Sequence, residues 1–190
     1  MKPSACFEYV NRKGRRYYLC EARTKNGGSR YVFSREVAGT PVSAVPSGYE
    51  VVESVNGVVS LRRAGSCAIR EDEVAIVRAA LAKHPHLTRC RVDARKREVV
   101  VYEAQTSDPK RVARYLGGDA PIEGVLDRGP LSPVLRFVLD DEEERMFLIQ
   151  RMCYRGSIDG WLTLSDGGGL EELANRYVQH LGKESFLELQ

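Results

Sequence analysis

The stretch RRYYLCEARTKNGGSRYVFS, Arg15–Ser34, decides how the first third of this chain is read. Two runs rich in Tyr, Val, Leu and Phe, Arg15–Arg23 and Ser29–Ser34, flank Asn26-Gly27-Gly28. Asn-Gly supplies the left-handed backbone that a tight hairpin needs, so the segment is predicted to fold as an antiparallel hairpin. The same logic applies on both sides. Phe7–Val10 and Arg15–Leu19 turn through Asn11–Gly14, and Tyr49–Val55 and Val58–Arg63 turn around Asn56-Gly57. Between the later hairpins, Gly39–Gly48 carries Pro41 and Pro46 and reads as a loop returning the chain to the sheet edge. Four to six strands and no long helix are expected up to Arg63.

Beyond the small residues of Ala64–Ala68 the pattern changes. Glu71–Lys83 opens with acidic residues and spaces Val74, Val77, Ala80 and Leu81 at helical intervals. His84-Pro85 ends it, because the residue before proline is pushed out of the α region. Leu87–Asp93 and Arg97–Glu103 form a second kind of hairpin. Asp108-Pro109 has the cap and first-turn proline of a short helix running to Leu116. Asp119–Pro133 reads as a loop. Val134–Asp140 and Arg145–Tyr154 pair around the acidic run Asp140–Glu144, a turn at Gly156–Gly160 follows, and Trp161–Leu164 is a short strand. Leu170, Leu173, Ala174, Tyr177, Val178 and Leu181 then mark one face of a helix stopped by Gly182. The order lacks strict strand–helix alternation, so the fold class is α+β. An N-terminal antiparallel sheet of hairpins precedes an α+β region with two or three helices. The expected domains are 1–66, basic and aromatic-rich, and 67–190, α+β with an acidic C-terminal portion.

Charge is unevenly spread. Residues 1–63 hold 11 Lys/Arg against 5 Asp/Glu, whereas residues 120–190 hold 7 against 13. The basic end is also the aromatic end. Arg12, Lys13, Arg15, Arg16, Arg23, Lys25 and Arg30 surround Tyr18 and its neighbours, a combination that attracts phosphates and offers rings to unpaired bases. Alternation places Tyr17 and Tyr18 on opposite faces, so one of them is expected in the core. The primary reading is a non-catalytic binding or accessory protein whose basic sheet engages nucleic acid, DNA or RNA, or a nucleic-acid-containing assembly. The alternatives are a protein–protein adaptor or self-assembling subunit that meets an acidic protein surface, with Trp161 or Phe186 as an apolar anchor. A small carboxylate- or metal-dependent hydrolase comes third.

Other motifs carry less. His84, His86 and Cys90 lack the second ligand pair of a zinc site and read better as a helix-terminating loop. Asp140–Glu144 lacks the alternating oxygens and glycine of a calcium loop. Asp166-Gly167-Gly168-Gly169 precedes a helix, with Ser165 or Asp166 as cap, but has no Walker lysine. Asp93, Glu98 and Glu103 near Arg89–Arg97 are the carboxylates a nuclease would use, with no compelling spacing. No cofactor or metal is expected. The five cysteines, odd in number and without a CxxC pair, suit a reducing cytoplasm, and no apolar stretch is long enough to span a membrane.

Arg16-Tyr17-Tyr18-Leu19, Thr24-Lys25, Arg30-Tyr31-Val32-Phe33-Ser34 and Pro46-Ser47-Gly48-Tyr49-Glu50 together resemble the opening of uncharacterised bacterial proteins. Leu135–Asp140, Gly156-Ser157-Ile158-Asp159 and His180–Phe186 are similar to their closing stretch. The resemblance implies a bacterial, cytoplasmic setting and carries no activity.

Overall fold

The computed structural model describes residues 6–104, 130–155 and 158–189. The chain divides into two compact units, Met1–Ser66 and Cys67–Gln190, and the whole is α+β. The expected helix at Asp108–Leu116, most of the expected loop at Asp119–Pro133 and part of the Gly156–Gly160 turn lie outside the described residues.

In the first unit, β1 (Glu8–Val10), β2 (Arg16–Arg23) and β3 (Ser29–Ser34) form an antiparallel sheet in that order. The three described connections that end in glycine share one device. Gly14, Gly27 and Gly57, all at φ of 71–80°, each donate an amide hydrogen bond to a carbonyl three residues back, on Asn11, Thr24 and Ser54. The loops are therefore three residues long, a type I turn closed by a left-handed glycine, and not the two-residue turn that Asn-Gly alone suggests. A short polar side chain opens each: Asn11 Oδ1 accepts from the Arg15 amide at 2.8 Å, Thr24 Oγ1 donates to the Gly28 carbonyl at 3.0 Å, and Ser54 Oγ accepts from the Val58 amide at 3.1 Å.

The region read as the Gly39–Gly48 loop contains β4 (Thr40–Pro41), which pairs with Cys20 and Glu21 of β2 beyond the end of β1. Proline is accommodated there because β4 is a two-residue edge strand. β5 (Tyr49–Glu53) and β6 (Val59–Arg63) form a separate two-stranded ribbon. Phe7, Tyr9, Tyr17, Leu19, Tyr31 and Phe33 share one face of the sheet by register, and the ribbon covers it: Tyr31 meets Tyr49 edge-on at 5.8 Å, and the Tyr17 hydroxyl donates to the Gly57 carbonyl at 3.4 Å. Neither Tyr17 nor Tyr18 is core, contrary to expectation. Both are half-buried at the rim, while Leu19 and Cys20, on opposite faces of mid-strand, are fully enclosed.

The second unit is a five-stranded antiparallel meander, β7 (Arg91–Arg95), β8 (Glu98–Ala104), β9 (Leu131–Asp141), β10 (Met146–Arg155) and β11 (Ile158–Gly169), with neighbours in chain order. The helices α1 (Glu71–Ala82) and α2 (Leu170–Val178) cover one face, where Val99, Val101, Leu135, Phe137, Leu139, Phe147 and Ile149 meet Val74, Val77, Leu81, Leu173, Ala174, Tyr177 and Val178. A last short helix, α3 (Ser185–Glu188), adds Phe186 to this core, so Phe186 is no exposed anchor.

Several boundaries differ from the sequence reading for local reasons. Pro85–Leu87 is a 3-10 turn, and β7 starts four residues later than expected, at Arg91. Leu131–Pro133 belongs to β9, with Pro133 tolerated at a register shift opposite Tyr102. The glycines before α2 are strand. Gly168 and Gly169 pair with Phe147 and Met146, and Gly169 is the cap in place of Ser165 or Asp166. The fixed hydrogen-bond ladder with β10 extends β11 to the first residue of the helix.

One ion pair ties the acidic turn to α1. Arg145 Nη2 lies 2.6 Å from both Glu73 oxygens and donates to the Ala68 carbonyl at 3.1 Å, while Glu73 also accepts from the Arg70 amide at 2.7 Å. Glu73 is 5% exposed. Arg145 ends the turn between β9 and β10 in the left-handed region, φ 53°, where a non-glycine residue is costly.

Candidate nucleic-acid interface

The eight residues of β2 separate the basic side chains into two groups. Arg12, Lys13, Arg15 and Arg16 cluster at the Asn11–Arg15 turn, whereas Arg23, Lys25 and Arg30 stand at the opposite end, around the Thr24–Gly28 turn. From Arg16 to Arg23 the strand spans roughly 23 Å at about 3.3 Å per residue. The register puts Arg16, Tyr18 and Arg30 on one face and Arg23 on the other.

The first group is partly spent on folding. Arg12 Nε sits 2.8 Å from Glu53 Oε1, and its Nη2 donates to the Glu53 and Ser54 carbonyls at 3.2 and 2.8 Å. Glu53 also accepts from the Arg12 amide and from the Tyr9 hydroxyl at 3.2 Å. Burial and that carboxylate raise the pKa of Tyr9. Beside them, Asn11 is 3% exposed: its Nδ2 donates to the Gly57 carbonyl at 2.6 Å, and its Oδ1 accepts from the Lys13 and Arg15 amides. The Lys13 stem lies against Gly57, where an added Cβ would stand 2.9 Å from Asn11 Nδ2. Arg16 pairs with Glu8 across the strands at 2.9 Å, an exposed contact that contributes little.

The second group is different. Arg23, Lys25 and Arg30 are exposed, and among the described residues no carboxylate pairs with them or with Arg15. Beside Arg23 lies an open cleft of about 390 Å³ lined by Glu21, Arg23, Gly27, Ser29 and Thr40. Tyr18, on the face of Arg30, stands opposite Ser34 and is half-buried. The sequence reading missed Glu53, the carboxylate that neutralises Arg12, and Asn11, the buried link between turns. The only signal for the latter was the recurrence of a short polar residue three positions before glycine.

The remaining motifs do not converge. His86 Nε2 is within 3.2 Å of the Leu181 carbonyl, the His84 ring lies 5.9 Å from that of His86 and tilted 60° to it, and burial, then Glu103, pushes the Cys90 thiol up to about 12. Among the described residues no group of three His, Cys, Asp or Glu is arranged to hold a metal ion. Asp93 and Glu98 share the sheet face away from the helices, bonded to Arg95 at 3.4 Å and Arg136 at 2.9 Å, whereas register places Glu103 on the opposite face. In the acidic turn Asp141 accepts from the Glu143 and Glu144 amides and Glu142 pairs with Arg97 at 2.8 Å. No described helix is long and apolar enough to cross a membrane.

No protein-family model, curated protein or solved structure matches this chain.

Proposed function

We propose that the chain is a non-catalytic nucleic-acid-binding protein, and that its contact surface is the far end of the β2–β3 hairpin. The observation that carries this reading is the exposure of Arg23, Lys25 and Arg30 around one turn with no carboxylate paired to them among the described residues. Three cations on a rigid hairpin suit phosphate oxygens spaced along a backbone, and they act without sequence preference. Arg15 adds a second, distant contact. Arg12 is held by Glu53 and supports the fold. Tyr18, on the same face as Arg30 but opposite Ser34 and four residues further along the strand, offers its ring to a base. Five free thiols support a reducing compartment, the cytoplasm.

The test is a salt titration of binding to a single-stranded and a duplex oligonucleotide. Replacing Arg23, Lys25 and Arg30 together by Gln is expected to flatten the log–log salt slope by about 2 on single strands and about 2.7 on duplex. Arg12→Gln is expected to leave the slope nearly unchanged. Binding that ignores salt, or a triple variant with the wild-type slope, overturns the reading.

A further inference from the structure

The two edges of the five-stranded sheet are built differently. β7 is five residues long and carries Arg91, Asp93 and Arg95, the charged guard usual on an exposed edge. β11 is twelve residues long, contains no Lys, Arg or Pro, and is uncharged from Gly160 to Ser165. Among the described residues it has a partner, β10, on one side only. Its register shifts against β10 fall beyond Thr163, between the partners of Gln150 and Phe147, so Ile158–Thr163 runs straight and can lie flush against another strand. Leu162 in this stretch is 39% exposed.

We propose that β11 pairs antiparallel with β11 of a second copy of this chain, about a two-fold axis through Trp161. Edge pairing of this kind is isologous, so it closes at two copies. The register argues for a second copy over a foreign strand. With the axis at Trp161, position 159 falls opposite Thr163, so Asp159 of one copy is not set directly against Asp159 or Asp166 of the other, and like charges are not opposed. Leu162 falls opposite Gly160 and fills the space that the missing side chain leaves. The two Trp161 rings become cross-strand neighbours on the face away from the helices. There each already carries the Arg136 guanidinium at 4.3 Å, and Arg136 is itself fixed by Glu98 and by Gln150 at 2.7 Å. Both copies keep α1 and α2 on the same side, and the sheet becomes ten strands wide.

Trp161 is the only tryptophan of the chain, so intrinsic fluorescence reports on the axis directly. Sedimentation of the full chain over a concentration series is expected to show a monomer–dimer equilibrium, and the Trp161 emission is expected to change along the same curve. Leu162→Lys places a charge on the strand and is expected to weaken the dimer at least about tenfold, with an unchanged far-ultraviolet spectrum. Thr163→Lys provides the same test should the first variant fold poorly. A wild-type chain that stays monomeric throughout overturns the proposal. So does a dimer that both lysine variants leave intact, or one whose formation leaves Trp161 emission unaltered.

Discussion

The two units solve the same problem with different means. Among the described residues of Cys67–Gln190 one apolar cluster of 22 buried residues lies between a sheet face and two helices. In the described part of Met1–Ser66 the buried apolar side chains are Leu19, Cys20, Val55 and Val59, and the sheet and ribbon are joined by half-buried rings and hydrogen-bonded turns. A unit of some sixty residues buries a smaller share of its surface than a larger one, so it leans on polar closure. The comparison teaches where each unit breaks. The larger is sensitive to charges buried in its frame, the smaller to single hydrogen-bonding side chains in its turns.

The strongest blow to the larger unit is Arg145→Ala, which strands Glu73 with no cation. A loss of about 3–5 kcal/mol is expected from removing one partner of a buried pair, read as a fall in the urea midpoint. Hydrogen exchange in β2 and β3 is expected to stay as in the wild type, and a loss spread equally over both units would show that the two units do not open independently. In the smaller unit, Asn11→Ala leaves the Lys13 and Arg15 amides without their side-chain acceptor and the Gly57 carbonyl with only the longer bond from the Tyr17 hydroxyl. The expected cost is about 1–3 kcal/mol, with exchange accelerated in the Asn11–Arg15 and Ser54–Val58 turns and not in β8 or β9. An Asn11→Ala protein as stable as wild type would show that the turns are held by backbone alone.

The smallest effect sharpens the contrast from the other side. Tyr102 is 3% exposed, and its hydroxyl has no hydrogen-bond partner among the described residues. Burial, offset in part by Arg95, pushes its pKa from 10.0 up to about 12. A folded pKa above the unfolded one means stability that is intact below pH 10 and lost as pH climbs through about 12, with a slope of at most about 1.4 kcal/mol per pH unit. Cys90 contributes similarly from pH 9 upward. Tyr102→Phe is expected to be neutral or stabilising by up to about 1 kcal/mol at pH 7, since an unpaired polar atom is removed. It is also expected to soften the alkaline unfolding seen by circular dichroism between pH 10 and 12. A destabilised Tyr102→Phe would mean that the hydroxyl has a partner after all.

The hairpins and the two main helices were legible because their signals are local. Alternation, a glycine where the backbone must be left-handed, and the 3.6-residue spacing of Leu170–Val178 each sit within a dozen residues. The candidate site was legible as a list of cations but not as a surface. Arg12 and Glu53 are 41 residues apart, and Glu73 and Arg145 are 72 apart, so neither pairing leaves a periodic trace. The same holds for Trp161 and Arg136, which meet only because β9, β10 and β11 are adjacent strands. The glycines before α2 misled for a related reason. Their flexibility suggests a loop, yet pairing with β10 made them strand.

Sequence alone determined the α+β class, the positions of the turns and the helical face of α2, since these follow from steric and periodic preferences of neighbouring residues. Tertiary structure decided which arginines are held by carboxylates, which turn of the smaller unit keeps its cations without a carboxylate partner among the described residues, and which edge of the larger sheet carries no cation. Those outcomes depend on strand length and register, which place far-separated residues within a few ångströms or some twenty ångströms apart.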